Sequence, residues 1–376
     1  MRSSDRVSIL KRVLSLPTAP FAEREVIAFV RRFCDARGLG VVRSDPAGNL
    51  MLRVHRLGAR VARPICLTAH MDHPGFVVTG SAGRTRVRAV WRGGVRPDYF
   101  PGARVRFWSD GAWTSGVIQS VTHAGRGANR RVTGVVASVS GSVSAGAIGM
   151  WDLPDPVVRG KCIYARACDD LAGLAAVLCC AAELAGGRTA VDARFLFTRA
   201  EEVGFVGALA ACRNRTIANK CVVVAVENSS EIPGVRMGDG PILRVGDKAT
   251  VFTPAVTAHC ATVAEQLARR DRRFAWQRKL MDGGTCESTA FCHHGYDATG
   301  ICIALGNYHN MDRTKKRIAP EYIHLDDFDN LARWFVALCR TGGSLRASDA
   351  VSGRRLDRLE TKYAHLLRRT TDGAGL

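Results

Sequence analysis

The stretch that decides the fold is Pro64-Ile65-Cys66-Leu67-Thr68-Ala69-His70, which is nearly continuous in apolar side chains until it reaches a histidine. Such a run predicts a β-strand that is buried on both faces, as the strands of parallel sheets are. Asp72 follows His70 by two residues of extended chain, so the two side chains leave the same face. The stretch therefore predicts a buried strand with polar residues at its carboxyl end.

Helical and strand patterns alternate on both sides of this strand. Further strands are predicted at 49–55, 192–199, 220–227 and 298–305, and helices at 5–16, 22–37, 170–186, 203–213, 256–270, 287–294 and 326–341. Strands separated by helices are typical of an α/β protein in which a mostly parallel sheet is sandwiched by helices.

Between about 73 and 160 the pattern changes to short alternating strands. Asp110-Gly111 predicts a hairpin between Val105–Phe107 and Trp113–Val117. We expect a small β-barrel inserted into the α/β domain. The predicted domains are a discontinuous α/β catalytic domain of 1–72 and 161–343, an inserted β-barrel domain of 73–160, and a C-terminal basic helix and tail of 344–376.

The composition limits the class of protein. A chain of 376 residues with 47% hydrophobic and 23% charged residues can bury a large core, which excludes a disordered or fibrous protein. The longest apolar run, Leu171 to Ala182, is shorter than the ~18 residues that a membrane span needs. The N-terminus lacks the apolar region of a signal peptide. We therefore expect an unexported, cytoplasmic protein without a membrane partner.

The thirteen cysteines agree with this expectation. Their number is odd, their spacing is irregular and they form no C-x-x-C motif, which favours free thiols in a reducing cytosol. Several of them, such as Cys66 and Cys302, lie inside apolar runs, where a free cysteine packs as a small hydrophobic residue.

The net charge of +20 raises the hypothesis of nucleic-acid binding, since a basic surface attracts phosphate. The arginines are scattered, however, and the sequence contains no RNP, zinc-finger or helix-turn-helix signature. The densest basic stretch alternates with a period of two, which suits the solvated face of β-strands: Arg84, Arg86, Arg88, Arg92, Arg96, Arg104 and Arg106. We expect nucleic-acid contacts only through non-specific charge.

Polar residues directly follow several predicted strands, at the edge of the sheet where ligands of α/β proteins bind. They are His70, Asp72, Glu201, Glu202, Glu227 and His309, and Asp169 with Asp170 precedes the helix at 171. Imidazoles and carboxylates are ligands of Zn²⁺ and similar cations. The set is larger than one tetrahedral ion requires, which predicts two ions at ~3.5–4 Å that share a carboxylate.

Each of these residues also has a purely structural interpretation. Asp169 and Asp170 suit the N-terminus of a helix, and Glu201 with Glu202 suits a solvated loop. Glu227 follows six apolar residues, however, and a carboxylate is costly to bury there unless it is paired or coordinating. Such polar residues stand at the ends of five separate elements, and one joint site explains them all together. In that site, one of the two adjacent glutamates holds a metal while the other transfers a proton.

With these residues the chain resembles the M42 family of dinuclear metallo-aminopeptidases, within the wider group of M28 and M20 peptidases. The resemblance covers most of the chain, and the ordered series of H-x-D, D-D, E-E and a terminal His is its specific part. The matching segments are LSLPTAPFAEREV (14–26), DPAGNL (45–50), AHMDHPGFVV (69–78), GGV (93–95), PGARV (101–105), CDDLAG (168–173), FTRAEEVGFVGA (197–208), AVEN (225–228), GDGP (238–241), MDGGT (281–285) and GNYHN (306–310).

The resemblance implies a metal-dependent aminopeptidase that removes N-terminal residues from short peptides. It implies the metal ligands His70, Asp169, Glu202, Glu227 and His309, with Asp169 bridging two divalent cations, for which we expect Zn²⁺, with Co²⁺ or Mn²⁺ as alternatives. Glu201 is then the general base, which takes a proton from the attacking water and protonates the leaving amine, and Asp72 orients His70. The inserted domain mediates assembly in this family, so a homo-oligomer between a dimer and a dodecamer is implied.

Three features depart from the family pattern. Glu227 replaces the usual Asp, Cys286-Glu287 stands where an Asp is common, and the inserted domain is rich in arginine. Two alternatives stay open, because fold and metals do not fix a substrate. They are an amide deacylase or dipeptidase with a non-peptide substrate, and a basic nucleic-acid-binding protein on an inactive peptidase fold.

Overall fold

The computed structural model describes residues 1–58, 61–342 and 356–366. Its helices are α1 (Ser3–Leu14), α2 (Arg24–Asp35), α3 (Leu171–Ala185), α4 (Val206–Arg213), α5 (Pro254–Arg270), α6 (Glu287–His293) and α7 (Leu325–Thr341). A further helical stretch covers 356–366. The remainder of the predicted C-terminal helix and tail, 344–355 and 367–376, lies outside the described residues.

The strands fall into one large sheet, one barrel and two small sheets. In chain order they are β1 (Arg43–Ser44), β2 (Leu50–Arg56), β3 (Ile65–His70), β4 (Gly75–Ser81), β5 (Arg86–Arg92), β6 (Arg104–Ser109), β7 (Ala112–Ala124), β8 (Arg131–Val139), β9 (Ile148–Trp151), β10 (Val157–Arg159), β11 (Cys162–Ala165), β12 (Val191–Thr198), β13 (Val222–Ser230), β14 (Ile242–Asp247), β15 (Gln277–Met281), β16 (Ala298–Leu305), β17 (Met311–Asp312), β18 (Arg317–Ile318) and β19 (Glu321–His324).

Eight strands form one mixed sheet in the order β1-β2-β12-β3-β13-β16-β14-β15. Strands β12, β3, β13 and β16 pair in parallel, whereas β2 joins β12 and β14 joins β16 antiparallel. The expected parallel arrangement therefore holds for the four central strands and for the edge pair β14 and β15, but not for the whole sheet. The link from β2 to β3 is too short for a crossover, so β2 runs opposite to β3 and lies antiparallel to β12, which is inserted between them.

Helices cover both faces of this sheet, as the uninterrupted apolar strand predicts. Every residue of β3 is buried, and the strand contributes to two separate core clusters. Leu67 and Val224 belong to the cluster that contains residues of α3 and α7. Cys66 and Val223 belong to the cluster that contains residues of α4 and α6. The polar residues at the strand ends are therefore held by a rigid, two-sided core.

Strands β4, β5, β8, β7, β6 and β9 close into an antiparallel barrel in that order. Asp110 and Gly111 join β6 to β7 with φ angles of 51° and 81°, the left-handed values that a tight hairpin turn requires, which confirms the predicted hairpin. The barrel begins at Gly75, five residues after His70 ends β3. The division of the chain into domains stays a prediction.

The outer surface of the barrel carries most of the predicted basic stretch. Arg86 and Arg88 are exposed on β5 and alternate with the buried Val87, which confirms the solvated face. Arg92 is half-buried, and only 13% of the Arg106 side chain is exposed. Arg106 stacks on Trp113 at 4.3 Å from the ring centroid and bonds to Asp155. Arg106 is therefore packed against neighbouring side chains and is not part of the solvated face.

Two further expectations concern cysteines and membranes. All thirteen cysteines lie in the described part of the chain as free thiols, and most are buried, which agrees with a packing role. Among the described residues, no helix is both long enough and apolar enough to cross a bilayer.

Candidate metal centre

The polar residues predicted from the strand ends meet at one edge of the large sheet. His70 ends β3, and its register partner Thr198 ends the neighbouring β12, three residues before Glu201. Glu227 lies in β13, and His309 follows β16 in a short turn. Because these strands run parallel, their carboxyl ends bring the side chains together.

The distances place a carboxylate between the two histidines. Asp169 Oδ1 lies 3.4 Å from His70 Nε2, and Asp169 Oδ2 lies 3.7 Å from His309 Nε2. Glu227 Oε2 is 4.0 Å from His70 Nε2, and Glu202 Oε2 is 3.2 Å from His309 Nε2. All five predicted ligands therefore line one small space.

Three groups of ligand atoms lie close enough to hold a cation, with all atoms of a group within 4.8 Å of one another. They are His70 with Asp169 and Glu227, Asp169 with Glu202 and His309, and His70 with Glu201 and Glu202. The first two groups share Asp169. The third group shows that Glu201, the predicted base, also lies within ligand distance.

The buried polar atoms of the centre fit divalent cations. Within the described residues, Asp169 Oδ1, Glu202 Oε1, Glu227 Oε1 and His309 Nε2 are buried without a hydrogen-bond partner. Burying such atoms costs free energy unless a partner or a cation satisfies them. Imidazole and carboxylate donors are those that Zn²⁺, Co²⁺ and Mn²⁺ accept. The donor set therefore matches the chemistry of a divalent metal site.

The pKa values in the centre are shifted because several carboxylates are buried close together. Burial raises the pKa of Glu227 to about 8, and burial together with the charge of Glu227 raises the pKa of Glu201 well above its ordinary value. Burial lowers the pKa of His309, but the carboxylates of Glu202 and Asp169 outweigh that effect and raise it to about 9. A cation relieves such mutual repulsion between carboxylates.

Asp72 holds the turn that carries the two adjacent glutamates. Its carboxylate accepts hydrogen bonds from the backbone N–H of Glu201 at 2.9 Å and of Glu202 at 3.1 Å. His70 Nδ1 lies 3.1 Å from the carbonyl oxygen of Asp72 and 3.5 Å from its carboxylate. Asp72 therefore contacts His70, as the two-residue spacing predicts, and also ties the end of β3 to the glutamate turn.

The turns of the centre depend on left-handed backbone conformations. Ala200, directly before Glu201, has φ 51°, while His309 and Asn310 have φ 54° and 64°. Such values are uncommon for residues other than glycine, and they persist where the surrounding structure holds them. The peptide bond between Asp169 and Asp170 is cis.

Sequence reasoning missed a layer of residues behind the ligands. Glu321, at the start of β19, is fully buried and bonds to the backbone of Asp169 and His309. His73 is also buried, with Nδ1 2.6 Å from the carbonyl oxygen of Asp169 and Nε2 3.1 Å from Asn310 Oδ1. Glu321 lies in a short strand without a long apolar run, so no pattern singled it out. His73 could have been found from its place next to Asp72.

A buried arginine lies beside the centre. Arg244, on β14, is 3% exposed and lines a cavity of about 220 Å³ together with Glu227, Ser229 and Tyr308. Its Nη1 donates to Ser229 Oγ at 3.2 Å, and its Nε is buried without a partner among the described residues. Sequence reasoning missed Arg244 because β14 was not predicted.

The fold and the site together are those of an α/β protein with a candidate metal centre of histidines and carboxylates at the edge of its sheet. The sequence model of the M42 glutamyl aminopeptidase family matches residues 48–331, and the chain belongs to this family. The protein is thus a metal-dependent aminopeptidase, and the deacylase and nucleic-acid-binding alternatives are not favoured. The comparison with curated proteins gives no match.

Several solved structures share this fold. An aminopeptidase from the archaeon Desulfurococcus kamchatkensis has a TM-score of 0.73 at 22% identity, over 91% of this chain and 97% of that chain. The TET1 peptidase of Pyrococcus horikoshii has a TM-score of 0.72 at 20% identity, over 89% of this chain and 99% of that chain. A structure described as an endoglucanase from Thermotoga maritima has a TM-score of 0.63 at 20% identity, over 90% and 99%. At these identities the likeness shows the fold alone.

Proposed function

We propose that the centre holds two divalent cations, Zn²⁺ or alternatively Co²⁺ or Mn²⁺, with Asp169 as the bridging ligand. His70 and Glu227 complete one site, and Glu202 and His309 complete the other. The observation that carries this proposal is that Asp169 belongs to both groups of ligand atoms and turns a different oxygen toward each histidine. Two metal ions that share a bridging group are the usual arrangement of two-metal hydrolases.

When bound, the cations supply Lewis acidity and lower the pKa of water, so that a nucleophile is available near neutral pH. Glu201 takes a proton from the attacking water and returns it to the leaving amine. Asp72 supports this role, because it holds the backbone N–H of Glu201 and so fixes the start of its side chain. Since the two ligand groups are complete without Glu201, its carboxylate is available for proton transfer.

The same carboxylates favour cleavage at the first residue of a peptide. Glu201, Glu202 and Glu227 all lie within ligand distance of His70, so three carboxylates are concentrated at the centre. A positively charged α-amine is attracted to this cluster, whereas a blocked N-terminus is not. Short peptides with a free amine are therefore the proposed substrates.

Arg244 supports a preference for an N-terminal residue with a carboxylate side chain. A guanidinium pairs with a carboxylate in bidentate geometry, and Arg244 keeps an unpaired, buried Nε beside the centre. Gly300, its register partner on β16, leaves room for the arginine, because a Cβ there would lie 3.1 Å from Arg244 Cδ. The family description, glutamyl aminopeptidase, agrees with an acidic first residue.

The inserted barrel is proposed to mediate assembly into a homo-oligomer. The Pyrococcus horikoshii TET1 peptidase is described as assembling into a tetrahedron or a large octahedral shell, and a dodecamer is described for PhTET1-12s. The odd number of cysteines and their lack of a C-x-x-C motif support the cytoplasm as the compartment, where thiols stay reduced.

The test is hydrolysis of a panel of chromogenic anilides of Glu, Asp, Leu and Lys by the purified chain, before and after chelation. We expect cleavage of the Glu and Asp substrates that is lost on chelation, is restored by Zn²⁺, Co²⁺ or Mn²⁺, and is absent for N-acetylated substrates. R244Q should lower kcat/KM for the Glu substrate by about tenfold or more. R313Q is the matched control, because Arg313 lines the same cavity but is exposed.

Three results would contradict parts of this proposal. Equal cleavage of Leu, Lys and Glu substrates by the wild type would remove the role of Arg244. Activity that survives complete removal of the metal would remove the metal mechanism. A silent panel, with two cations bound, would point to a deacylase with a non-peptide substrate.

A further inference from the structure

One buried carboxylate ties together two distant segments of the centre. Glu321 is 0% exposed, and its Oε2 accepts hydrogen bonds from the backbone N–H of Cys168 at 2.6 Å and of Asp169 at 3.1 Å. Its Oε1 accepts from the backbone N–H of His309 at 2.8 Å. Asp169 lies 152 residues before Glu321 in the sequence, and His309 lies 12 residues before it.

The contacts of Glu321 are made to backbone rather than to side chains. Three N–H donors satisfy its charge, which makes a buried carboxylate tolerable. Because each donor belongs to a residue next to or at a proposed ligand, the carboxylate fixes where those ligand side chains begin. Its two oxygens face different segments, so the spacing between the segments depends on the width of a single carboxylate group.

The neighbouring residues reinforce the same two segments. His73 Nδ1 contacts the carbonyl oxygen of Asp169, and His73 Nε2 contacts Asn310, the residue after His309. Asn310 Nδ2 donates to the carbonyl oxygens of Arg166 and Ala319. Asp169 and His309 are therefore held from behind by groups that do not themselves face the ligand space.

We propose that Glu321 is a positioning residue that sets the distance between Asp169 and His309 and thereby the affinity of the cation site formed by Asp169, Glu202 and His309. This inference rests on the ligand assignment of the proposed function. The other site, with His70 and Glu227, has one ligand in common but does not depend on the position of His309. Loss of Glu321 is therefore expected to affect the two sites unequally.

The isosteric variant E321Q separates the effect of the hydrogen bonds of Glu321 from the effect of its side-chain volume. A glutamine keeps the volume of the side chain but offers one oxygen and one NH₂ group. If the oxygen serves the Cys168 and Asp169 N–H groups, the NH₂ group faces the N–H of His309, and two donors cannot bond to each other. The tie to His309 is lost, while the rest of the packing is kept.

The experiment titrates metal-free wild type and E321Q, as full-length purified chains, with Co²⁺. The visible absorption of Co²⁺ and metal analysis by mass spectrometry follow the two sites. The wild type is expected to bind two cations. E321Q is expected to bind the first like the wild type and the second about 10- to 100-fold more weakly, as is typical when a supporting group behind a ligand is lost.

D327N is the matched control. Asp327, on helix α7, is another fully buried carboxylate. It accepts hydrogen bonds from the backbone N–H groups of Gly238 and Gly240. In the described part of the chain, its hydrogen-bond partners are not among the proposed ligands. D327N is expected to lower the melting temperature to a similar extent as E321Q while leaving both cation affinities unchanged.

Several outcomes would overturn the proposal. They are unchanged binding of both cations by E321Q, equal weakening of both sites, or the same loss of metal affinity in D327N. If E321Q fails to fold, E321D replaces it, because it keeps the charge but is shorter by about 1.5 Å and cannot reach both segments. Binding of fewer than two cations by the wild type would refute the dinuclear assignment, and with it this inference. Two bound cations without peptidase activity would refute only the proposed reaction.

Discussion

Three of the proposed ligands, Asp169, Glu202 and His309, are set in place by a buried carboxylate that is not itself a proposed ligand. Asp72 binds the N–H groups of Glu201 and Glu202, and Glu321 binds those of Asp169 and His309. A carboxylate that accepts a hydrogen bond from the backbone N–H of a ligand residue fixes the position of that residue's backbone. The ligand's own side-chain atoms stay free to bind a cation or transfer a proton. Substitution of a ligand, of the base and of a supporting carboxylate should therefore have three distinguishable effects.

The substitution E201Q tests the proposed base. A glutamine keeps the shape of the side chain and the backbone bond to Asp72, but its amide cannot take up a proton from water. We expect kcat to fall by about 10²- to 10⁴-fold, the usual contribution of a general base, with two cations still bound. Steady-state kinetics and metal analysis of the same sample measure both effects.

H70A is the comparison for this experiment, because it removes a proposed ligand rather than the base. It should lower the amount of bound metal measurably, which E201Q should not. Glu201 lies within ligand distance of His70 and Glu202, so metal content decides between its two possible roles. If E201Q loses a cation, Glu201 is a ligand and the base has been assigned wrongly.

The sequence revealed those site residues that directly follow long apolar runs. His70, Glu202 and Glu227 stood out because a charged group at the end of a buried strand demands a partner. Glu321 and Arg244 did not stand out, for two different reasons. The first, Glu321, accepts hydrogen bonds from backbone N–H groups, and no sequence pattern indicates such contacts. The second lies in a strand whose apolar residues are interrupted by charge.

At the scale of elements, the first turn of α3 passes very close to the centre. A Cβ at Gly173 would meet Asp170 Oδ1 and would lie 2.5 Å from Val226 Cγ1. Gly173 therefore lets the helix approach β13 next to Asp169. The absence of a side chain at this position is a packing requirement.

G173A should destabilise the protein, although alanine normally favours a helix by roughly 0.5–1 kcal/mol over glycine. The clash with Val226 and Asp170 forces a shift that costs about 1–3 kcal/mol, as overpacking of a core does. We therefore expect a lower free energy of unfolding and a lower metal affinity. Denaturant unfolding and a Co²⁺ titration measure these quantities.

G186A provides the control on the same helix. Gly186 follows the last residue of α3 with φ −79°, and the nearest atom to an added Cβ is the carbonyl oxygen of Ala182 at 3.5 Å. The expected change is close to zero or a gain of about 0.4–1 kcal/mol. A gain in stability for G173A as well would show that the helix moves away from β13 without cost.

Prediction of whole elements succeeded where burial dominates the pattern. The central strands β3, β12 and β13 are apolar on both faces, so their sequences alone mark them as strands. Strands β14 and β15 were missed. β14 contains Arg244, Gly246 and Asp247, and β15 is an edge strand with exposed Arg278 and Leu280. In such strands the partner strand, rather than the sequence pattern, determines the conformation.

At the scale of the whole molecule, the acidic centre contrasts with a basic chain. The net charge is +20, and the span 75–159 contains eleven arginines against four aspartates. Some of this charge is paired at the surface, as in Arg96 with Asp98 and Arg104 with Asp152, and such exposed pairs contribute little stability. A basic surface attracts anions over long range, whereas the centre concentrates carboxylates.

Metal removal should lower the stability of the whole fold, because the cations offset carboxylates that are buried together. A ligand at 100 to 1,000 times its Kd stabilises the native state by roughly 2.7–4.1 kcal/mol per site. Chelation is therefore expected to lower Tm by several degrees, and Zn²⁺, Co²⁺ or Mn²⁺ should restore it. Differential scanning calorimetry on dialysed samples, with metal analysis alongside, measures the shift.

The same measurement on H309A shows whether both cations contribute to this stability. This variant removes a ligand from one site only, so chelation should shift its Tm by a smaller amount than in the wild type. Because the two sites share Asp169, the remaining cation keeps that carboxylate neutralised, and part of the shift should survive. An unchanged Tm in the wild type after verified metal loss would mean that the buried carboxylates are already neutral by protonation, and the centre would then gain nothing in stability from its cations.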